Sequence, residues 1–313
     1  MEGLESDDSA VRRAAAWALF EMGPQAAAAT DLLAGQLEDP EVRMPALRAL
    51  EAIGPKAFAA VPRISDLLSH PDGYVRLGAV FALGGIGAPW PSEGEAAPAE
   101  SPTPSQMEAV AESLRVALKD ELYWIPALAG EALARMGPAA EPALPEAIEL
   151  LDRPYAQWIW PEPGMVRRII AAIGPKAGAA VPQLVRLVND KKGDAPEEML
   201  ALAAIGESAE KAIPVLLKYS AEGSPRRGCA LYALFCVRGN AEDLDNMVGA
   251  LKGDEPGRAE LARYLDALGA KAQPVAEKIK QLAETEAFAA QKEMLESFLK
   301  KVETEKGPTT LMP

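Results

Sequence analysis

The sequence predicts an all-α protein, a right-handed α-solenoid of about eight helical pairs running through residues 1–306 as one continuous domain. Three observations lead there. Apolar residues make up 49% of the 313 residues while aromatics make up 5%, so the apolar content is chiefly Ala and Leu, which favour helix over strand. An apolar residue followed by Gly recurs at Met22-Gly23, Ile53-Gly54, Ile86-Gly87, Met136-Gly137, Ile173-Gly174, Ile205-Gly206 and Leu268-Gly269, and Val237-Arg238-Gly239 fits as an eighth copy with one extra residue. The steps between these anchors are 31, 33, 50, 37, 32, 32 and 31 residues, the period of a stacked helical-pair array. Such an array also suits a chain of this length, which is too long for one ordinary core.

Each element follows from the anchor. Three residues before it stands Leu19, Leu50, Leu83, Leu133, Ile170, Leu202, Leu234 or Leu265. Four before it stands Ala18, Ala49, Ala82, Ala132, Ala201 or Ala233, with Ile169 and Tyr264 as exceptions. Apolar residues at the anchor, −3, −4 and −7 line one face of a helix of 3.6-residue period, the first helix of each pair. The Gly after the anchor is expected in the left-handed C′ position, and the following Pro in Gly23-Pro24, Gly54-Pro55, Gly137-Pro138 and Gly174-Pro175 stops the helix. Pro62, Pro145, Pro182 and Pro214, eight residues past their anchor Gly, belong in the first turn of the second helix after a short helical lead-in. Asp39-Pro40 then reads as N-cap and N1 of the next first helix.

Between the helices of the third repeat, residues 88–105 are rich in Pro, Glu, Ser and Ala and are expected to form a flexible insertion. A C-terminal helix from about Glu284 to Val302 is expected to cap the last repeat, followed by a disordered tail at 307–313. The first repeat begins with no evident polar cap of its own.

The motif Asp-x-x-x-Arg, then Ala and Leu, then Ile-Gly-Pro, then Pro and Leu-Leu resembles HEAT repeats. It is most similar to the short HEAT-like repeats of the phycobilisome-lyase type, from about Asp8 to Lys280. The resemblance implies a non-enzymatic scaffold that binds a protein or peptide along a curved helical-repeat surface. The alternative it implies is a bilin (phycobilisome) lyase-like chromophore attachment subunit. Arg12, Arg43, Arg76, Arg227 and Arg258 stand ten residues before their anchors, and Asp8, Asp39, Asp72 and Asp254 stand four before four of them. These read as capping Asp residues with Arg residues that tie neighbouring repeats together, rather than as a basic ladder for an anion. Repeats four, five and six lack the pair at that spacing.

Composition narrows the chemistry. A net charge of −14 opposes phosphate backbones, so no nucleic-acid partner is expected. One histidine and two cysteines leave no zinc set, His-based triad or disulfide framework. Cys229 and Cys236, two helical turns apart, are about 10 Å from each other, beyond the reach of a disulfide. No phosphate loop or nucleophile elbow is present. No metal, cofactor or catalytic residue is expected, and no membrane partner. The acidic N-terminus and the lack of a long apolar run point to a cytoplasmic protein.

Candidate binding residues come from the aromatics. Tyr74 and Trp124 stand twelve residues before their anchors and Trp160 thirteen, which sets an aromatic at the start of three consecutive first helices. Tyr123, Tyr155 and Trp158 join them. Such a row is either a partner-binding strip or filling where irregular repeats stack. The charge is uneven, −13 over residues 1–156 against −1 over the rest, so a basic partner on the first half is the expectation.

Overall fold

A computed structural model of the chain describes residues 1–88, 101–151, 163–192, 194–224, 226–252, 258–285 and 292–304. Among them all regular structure is helical. The chain falls into two compact units, Met1–Ile169 and Ile170–Pro313.

The first unit holds α1 (Ser9–Met22), α2 (Thr30–Gly35), α3 (Arg43–Ile53), α4 (Val61–Asp66), α5 (Gly73–Gly87), α6 (Pro104–Leu114), α7 (Trp124–Met136) and α8 (Leu144–Leu151). Helix α9 (Pro163–Ile173) carries the boundary. The second unit holds α10 (Val181–Asp190), α11 (Pro196–Ile205), α12 (Ile213–Ser220), α13 (Arg227–Arg238), α14 (Ala241–Leu251), α15 (Arg258–Leu268), α16 (Ala276–Ala283) and α17 (Lys292–Thr304). Odd numbers are first helices and even numbers their partners, eight pairs among the described residues with α17 after them. Within each unit, consecutive first helices pack on one another, α1 on α3, α3 on α5 and α11 on α13.

The anchor stripe is the core. Leu50, Leu83, Leu133, Ile170, Leu202 and Leu265 are fully buried. Their Ala neighbours at −4 are buried as well in Ala49, Ala82, Ala132 and Ala233, where a methyl group lets two helices approach closely. Repeat one departs from the rule: Met22 is 49% exposed, and Ala18 is exposed too.

The turn after the anchor is tighter than the expected left-handed cap. Gly54 has φ 69° and ψ −141°, a region closed to residues with a Cβ. From it the chain enters a seven-residue 3-10 helix, Gly54–Ala60, before α4 begins at Val61 with Pro62 in its first turn. The same segment recurs at Gly23–Ala29, Gly137–Ala143, Gly174–Ala180, Gly206–Ala212 and Gly269–Val275. The copy with the extra residue instead uses the true αL cap, Gly239 at φ 63° and ψ 20°.

Gly87 corrects the expectation outright, since α5 includes it and its φ is not positive. The missing Pro does not decide this, since Gly206-Glu207 and Gly269-Ala270 lack it too and keep the positive-φ turn; α5 ends at Gly87 itself. Its glycine is needed for space: a Cβ would lie 2.6 Å from Met136 Cε and 2.8 Å from Val110 Cγ1.

The ends also differ from expectation. Glu2–Glu5 form a 3-10 turn with Leu4 fully buried, and the Leu4 carbonyl accepts a bond from Gln36 Nε2 (3.0 Å). The first repeat therefore has a partial cap. At the other end Glu284 and Thr285 form a turn, and the capping helix is α17, which buries Leu295 and Phe298 against the last pair. In the insertion, α6 already begins at Pro104 under a Thr103–Gln106 capping box. Residues 89–100 and the tail at 307–313 lie outside the described residues.

Candidate interaction surface

The Asp/Arg ladder sets the helix starts in register. Asp8 caps α1 by accepting the Ala10 amide (2.8 Å), and Asp72 caps α5 by accepting that of Tyr74 (2.9 Å). Asp39 accepts the Glu41 amide (2.9 Å) but is not the expected N-cap with Pro40 at N1: residues 40–42 form a turn, and α3 begins at Arg43 after Val42. Each Arg reaches back to carbonyls that precede its own helix, and Arg12 and Arg76 also reach forward to an Asp of the next repeat. Arg12 donates to the Ser6 and Asp7 carbonyls (2.7 and 3.0 Å) and to Asp39 Oδ2 (2.6 Å). The Arg12 guanidinium holds the Asp39 carboxyl below the usual carboxylate range.

Arg76 donates to the His70 and Pro71 carbonyls (2.9 and 3.2 Å) and with Nε and Nη2 to both Asp120 oxygens (2.6 and 3.0 Å). Arg227 and Arg258 reach back in the same way, to the Ser220 and Leu251 carbonyls (3.2 and 3.1 Å). Asp120 is a correction, because it stands sixteen residues before its anchor, Met136. It still accepts a local amide, that of Leu122 (2.9 Å). Repeat four thus has the Asp at another spacing. Between repeats two and three, His70 takes the matching place, with its Nε2 3.3 Å from Arg43 Nη1.

This register brings the starts of α5 and α7 together. A Cβ on Gly73 would lie 2.1 Å from Leu122 Cδ1, so the Leu122 side chain sits on the Gly73 backbone and the two helix starts adjoin. Both tyrosines are exposed, Tyr74 at 72% and Tyr123 at 51%. Trp124 is half-buried and packs edge-on against Tyr123, with ring centroids 4.8 Å apart. Its indole N–H is buried without a hydrogen-bond partner. Glu121, beside them, keeps its side chain 86% exposed and lies 3.9 Å from Arg76. Tyr155, Trp158 and Trp160 lie outside the described residues.

A second aromatic group escaped the sequence reading. Trp17 meets Phe20 edge-on at 5.6 Å, and the Arg48 guanidinium lies 5.5 Å from the Phe20 ring and 5.7 Å from that of Phe81. Trp17, Arg48 and Phe81 each stand five residues before their anchors. That shared register was legible, but it becomes visible only when cations and rings are counted as one class. Arg48 also pairs with Glu51 (2.5 Å), whose carboxyl is pushed up by burial against the opposing pull of Arg48.

In the second unit, Cys229 and Cys236 are both free on α13. Burial pushes their thiols up, to about 12 and about 11 respectively. No group of three or more metal-ligating side chains exists among the described residues. No helix among them is long and apolar enough to cross a membrane.

Residues 11–41 match the family model of the PBS lyase HEAT-like repeat. No curated protein matches the chain significantly. Among solved structures, importin beta in an ammonium sulfate condition is similar with a TM-score of 0.52 at 14% identity, over 97% of this chain and 47% of that one. Kap121p bound to Nup53p gives 0.51 at 14% identity, over 96% and 39%. The chain therefore spans less than half the length of either. The complex of CpcE and CpcF of phycocyanin lyase from Nostoc sp. PCC7120 aligns at 20% identity over 95% of this chain and 92% of that one, with a TM-score of 0.31. The anchor that recurs through the whole chain, the repeat model seated on its first copy and the likeness to the importin beta structure together give this chain the fold of a HEAT-like helical-repeat solenoid.

Proposed function

We propose that the chain is a non-enzymatic interaction scaffold that holds a protein or peptide along its helical-repeat surface, with a contact site at the paired starts of α5 and α7. The observation that carries this reading is the exposure of Tyr74 and Tyr123 on adjoining helix starts. Tyrosines supply much binding energy for little conformational entropy. The ladder residues Arg76 and Asp120 are engaged with each other, and the exposed charge beside the tyrosines is that of Glu121.

The partner on this reading is basic, drawn by the acidity of residues 1–156, and neither nucleic acid nor membrane. Charge speeds encounter and the tyrosines supply the short-range contact. The setting is cytoplasmic, in keeping with two unbridged thiols. An array of Lys- and Arg-rich peptides, some carrying an apolar residue, tests it. Binding should weaken as salt rises, and Tyr74→Ala with Tyr123→Ala should lose it while the helical circular dichroism stays unchanged. Binding that survives the double substitution would move the site elsewhere.

The family-model match on residues 11–41 favours one second reading, a lyase-like subunit for bilin attachment. Incubation with a linear tetrapyrrole and an apo-phycobiliprotein distinguishes them, since a covalent adduct formed only with this chain present overturns the first reading.

A further inference from the structure

Among the described residues from α1 to α7, consecutive first helices are tied at their starts by an Arg–Asp pair in two joints and not in the one between. Between α1 and α3, Arg12 binds Asp39 (2.6 Å) and the Ser9 hydroxyl donates to Glu41. Between α5 and α7, Arg76 binds both Asp120 oxygens (2.6 and 3.0 Å), and the Leu122 side chain sits on Gly73. Between α3 and α5 the corresponding residues are Arg43 and His70. His70 holds the place of Asp39 and Asp120: each follows the 3-10 turn of a second helix, in extended backbone. Each also accepts the amide two residues on, that of Glu41, Asp72 or Leu122, at 2.9, 3.0 and 2.9 Å. An amide only donates, so the His70 ring accepts through Nδ1 and carries its hydrogen on Nε2. Nε2 lies 3.3 Å from Arg43 Nη1, a second donor. A carboxylate has another oxygen for the Arg at this point, and an imidazole has none. The remaining bonds secure each side to its own turn. Arg43 donates to the Leu37 and Glu38 carbonyls (2.6 and 3.2 Å), and Arg76 to those of His70 and Pro71 (2.9 and 3.2 Å).

The far ends of α3 and α5 meet differently. A Cβ on Gly85 would lie 2.8 Å from the Glu51 carbonyl oxygen and 3.2 Å from its Cα, so backbone rests on backbone there. Nearer the starts, the Gly78 position meets side-chain tips, Met44 Cε at 2.9 Å and Leu47 Cδ1 at 3.0 Å. We propose that the α3–α5 joint is a hinge of the first unit, opening at the helix starts about the Gly85–Glu51 contact. Local opening takes place where directional bonds are fewest, and the Gly85 contact supplies a fixed axis. The Arg12–Asp39 and Arg76–Asp120 pairs make α1 with α3, and α5 with α7, the two bodies that move. Tyr74 and Tyr123 stand on the same body, so opening changes their distance from Glu41 and leaves the pair together. The hinge rests on the ladder geometry alone and not on what the tyrosines bind.

Nitroxide labels on Pro40→Cys and Glu121→Cys, both exposed positions, in a chain also carrying Cys229→Ala and Cys236→Ala, test the hinge. They bracket it across two helix spacings, about 20 Å. Gly73 and Gly85 are about 18 Å apart along α5, so about 10° of opening moves the starts by about 3 Å. Pulsed dipolar spectroscopy of the full chain should show a distance distribution with a second component, longer by that amount or more. His70→Asp keeps the Asp72 amide on one oxygen and offers Arg43 the other, as Asp120 does for Arg76, and should remove the long component. His70→Asn keeps the amide bond but turns its NH2 toward Arg43, so it should leave the long component in place. A single narrow distribution with His70 present overturns the proposal, whether or not the Asp variant folds. A long component that survives His70→Asp overturns it as well, and so does one lost in His70→Asn.

Discussion

Removing Arg76 should open the first unit between repeats three and four. The Arg76 and Asp120 side chains are 11% and 8% exposed, with two nitrogen–oxygen contacts of 2.6 and 3.0 Å. The remaining Arg76 nitrogen binds the carbonyls that close the preceding turn. In Arg76→Ala the Asp120 carboxylate keeps only the Leu122 amide and stays nearly buried, and the two carbonyls lose their donor. Stranding one member of such a pair costs about 3 to 5 kcal/mol, and the residual exposure places this case at the low end, about 3 kcal/mol. Replacing both members, as in Arg76→Met with Asp120→Leu, removes the stranded charge and should recover more than half of that loss. The assay is urea unfolding followed by circular dichroism on the two single variants and the double one, with hydrogen exchange to locate the opening at residues 70–76 and 120–125. A loss below about 1 kcal/mol for Arg76→Ala, or a double variant as unstable as the sum of the singles, would refute the view that the ladder couples these repeats.

Three further expectations follow from the same packing. Leu50→Ala and Leu133→Ala, both fully buried at the −3 position, should each cost about 2 to 5 kcal/mol in chemical unfolding. Gly54→Ala and Gly87→Ala should both destabilise, for different reasons: Gly54 at φ 69° pays about 1 to 3 kcal/mol of backbone strain, while Gly87→Ala meets Met136 and Val110. Substituting Met136 by Ala should relieve the second defect in thermal melts and leave the first untouched. Cys229 and Cys236, with thiols raised to about 12 and about 11 by burial, should resist iodoacetamide at neutral pH until the chain is unfolded; fast labelling of native protein would show that α13 opens locally.

What the sequence alone determined is everything that rests on short-range spacing. Helix phase, the Gly-Pro stop, Pro in the first turn of the second helix and the capping Asp residues all depend on neighbours within a few positions. The apolar-Gly anchor therefore makes the same turn at Gly54 and Gly174, where Pro follows, and at Gly206 and Gly269, where it does not, whereas Gly87, packed against Met136 and Val110, does not make it. The structure alone decided what depends on residues one repeat away. Asp120 serves Arg76 although it sits two positions off the expected spacing, because a side-chain pair is closed in space and not in sequence. Of the candidate aromatics described, Tyr74 and Tyr123 emerged exposed while Trp124 turned partly inward, a distinction no periodicity contains, since all three belong to helix starts. Val11, Ala14, Ala18 and Met22 on α1 stand at the positions of Val42, Pro45, Ala49 and Ile53 on α3, and yet they are exposed where those are buried. Burial is a property of what packs against a face, and one sequence pattern carries no record of its neighbour.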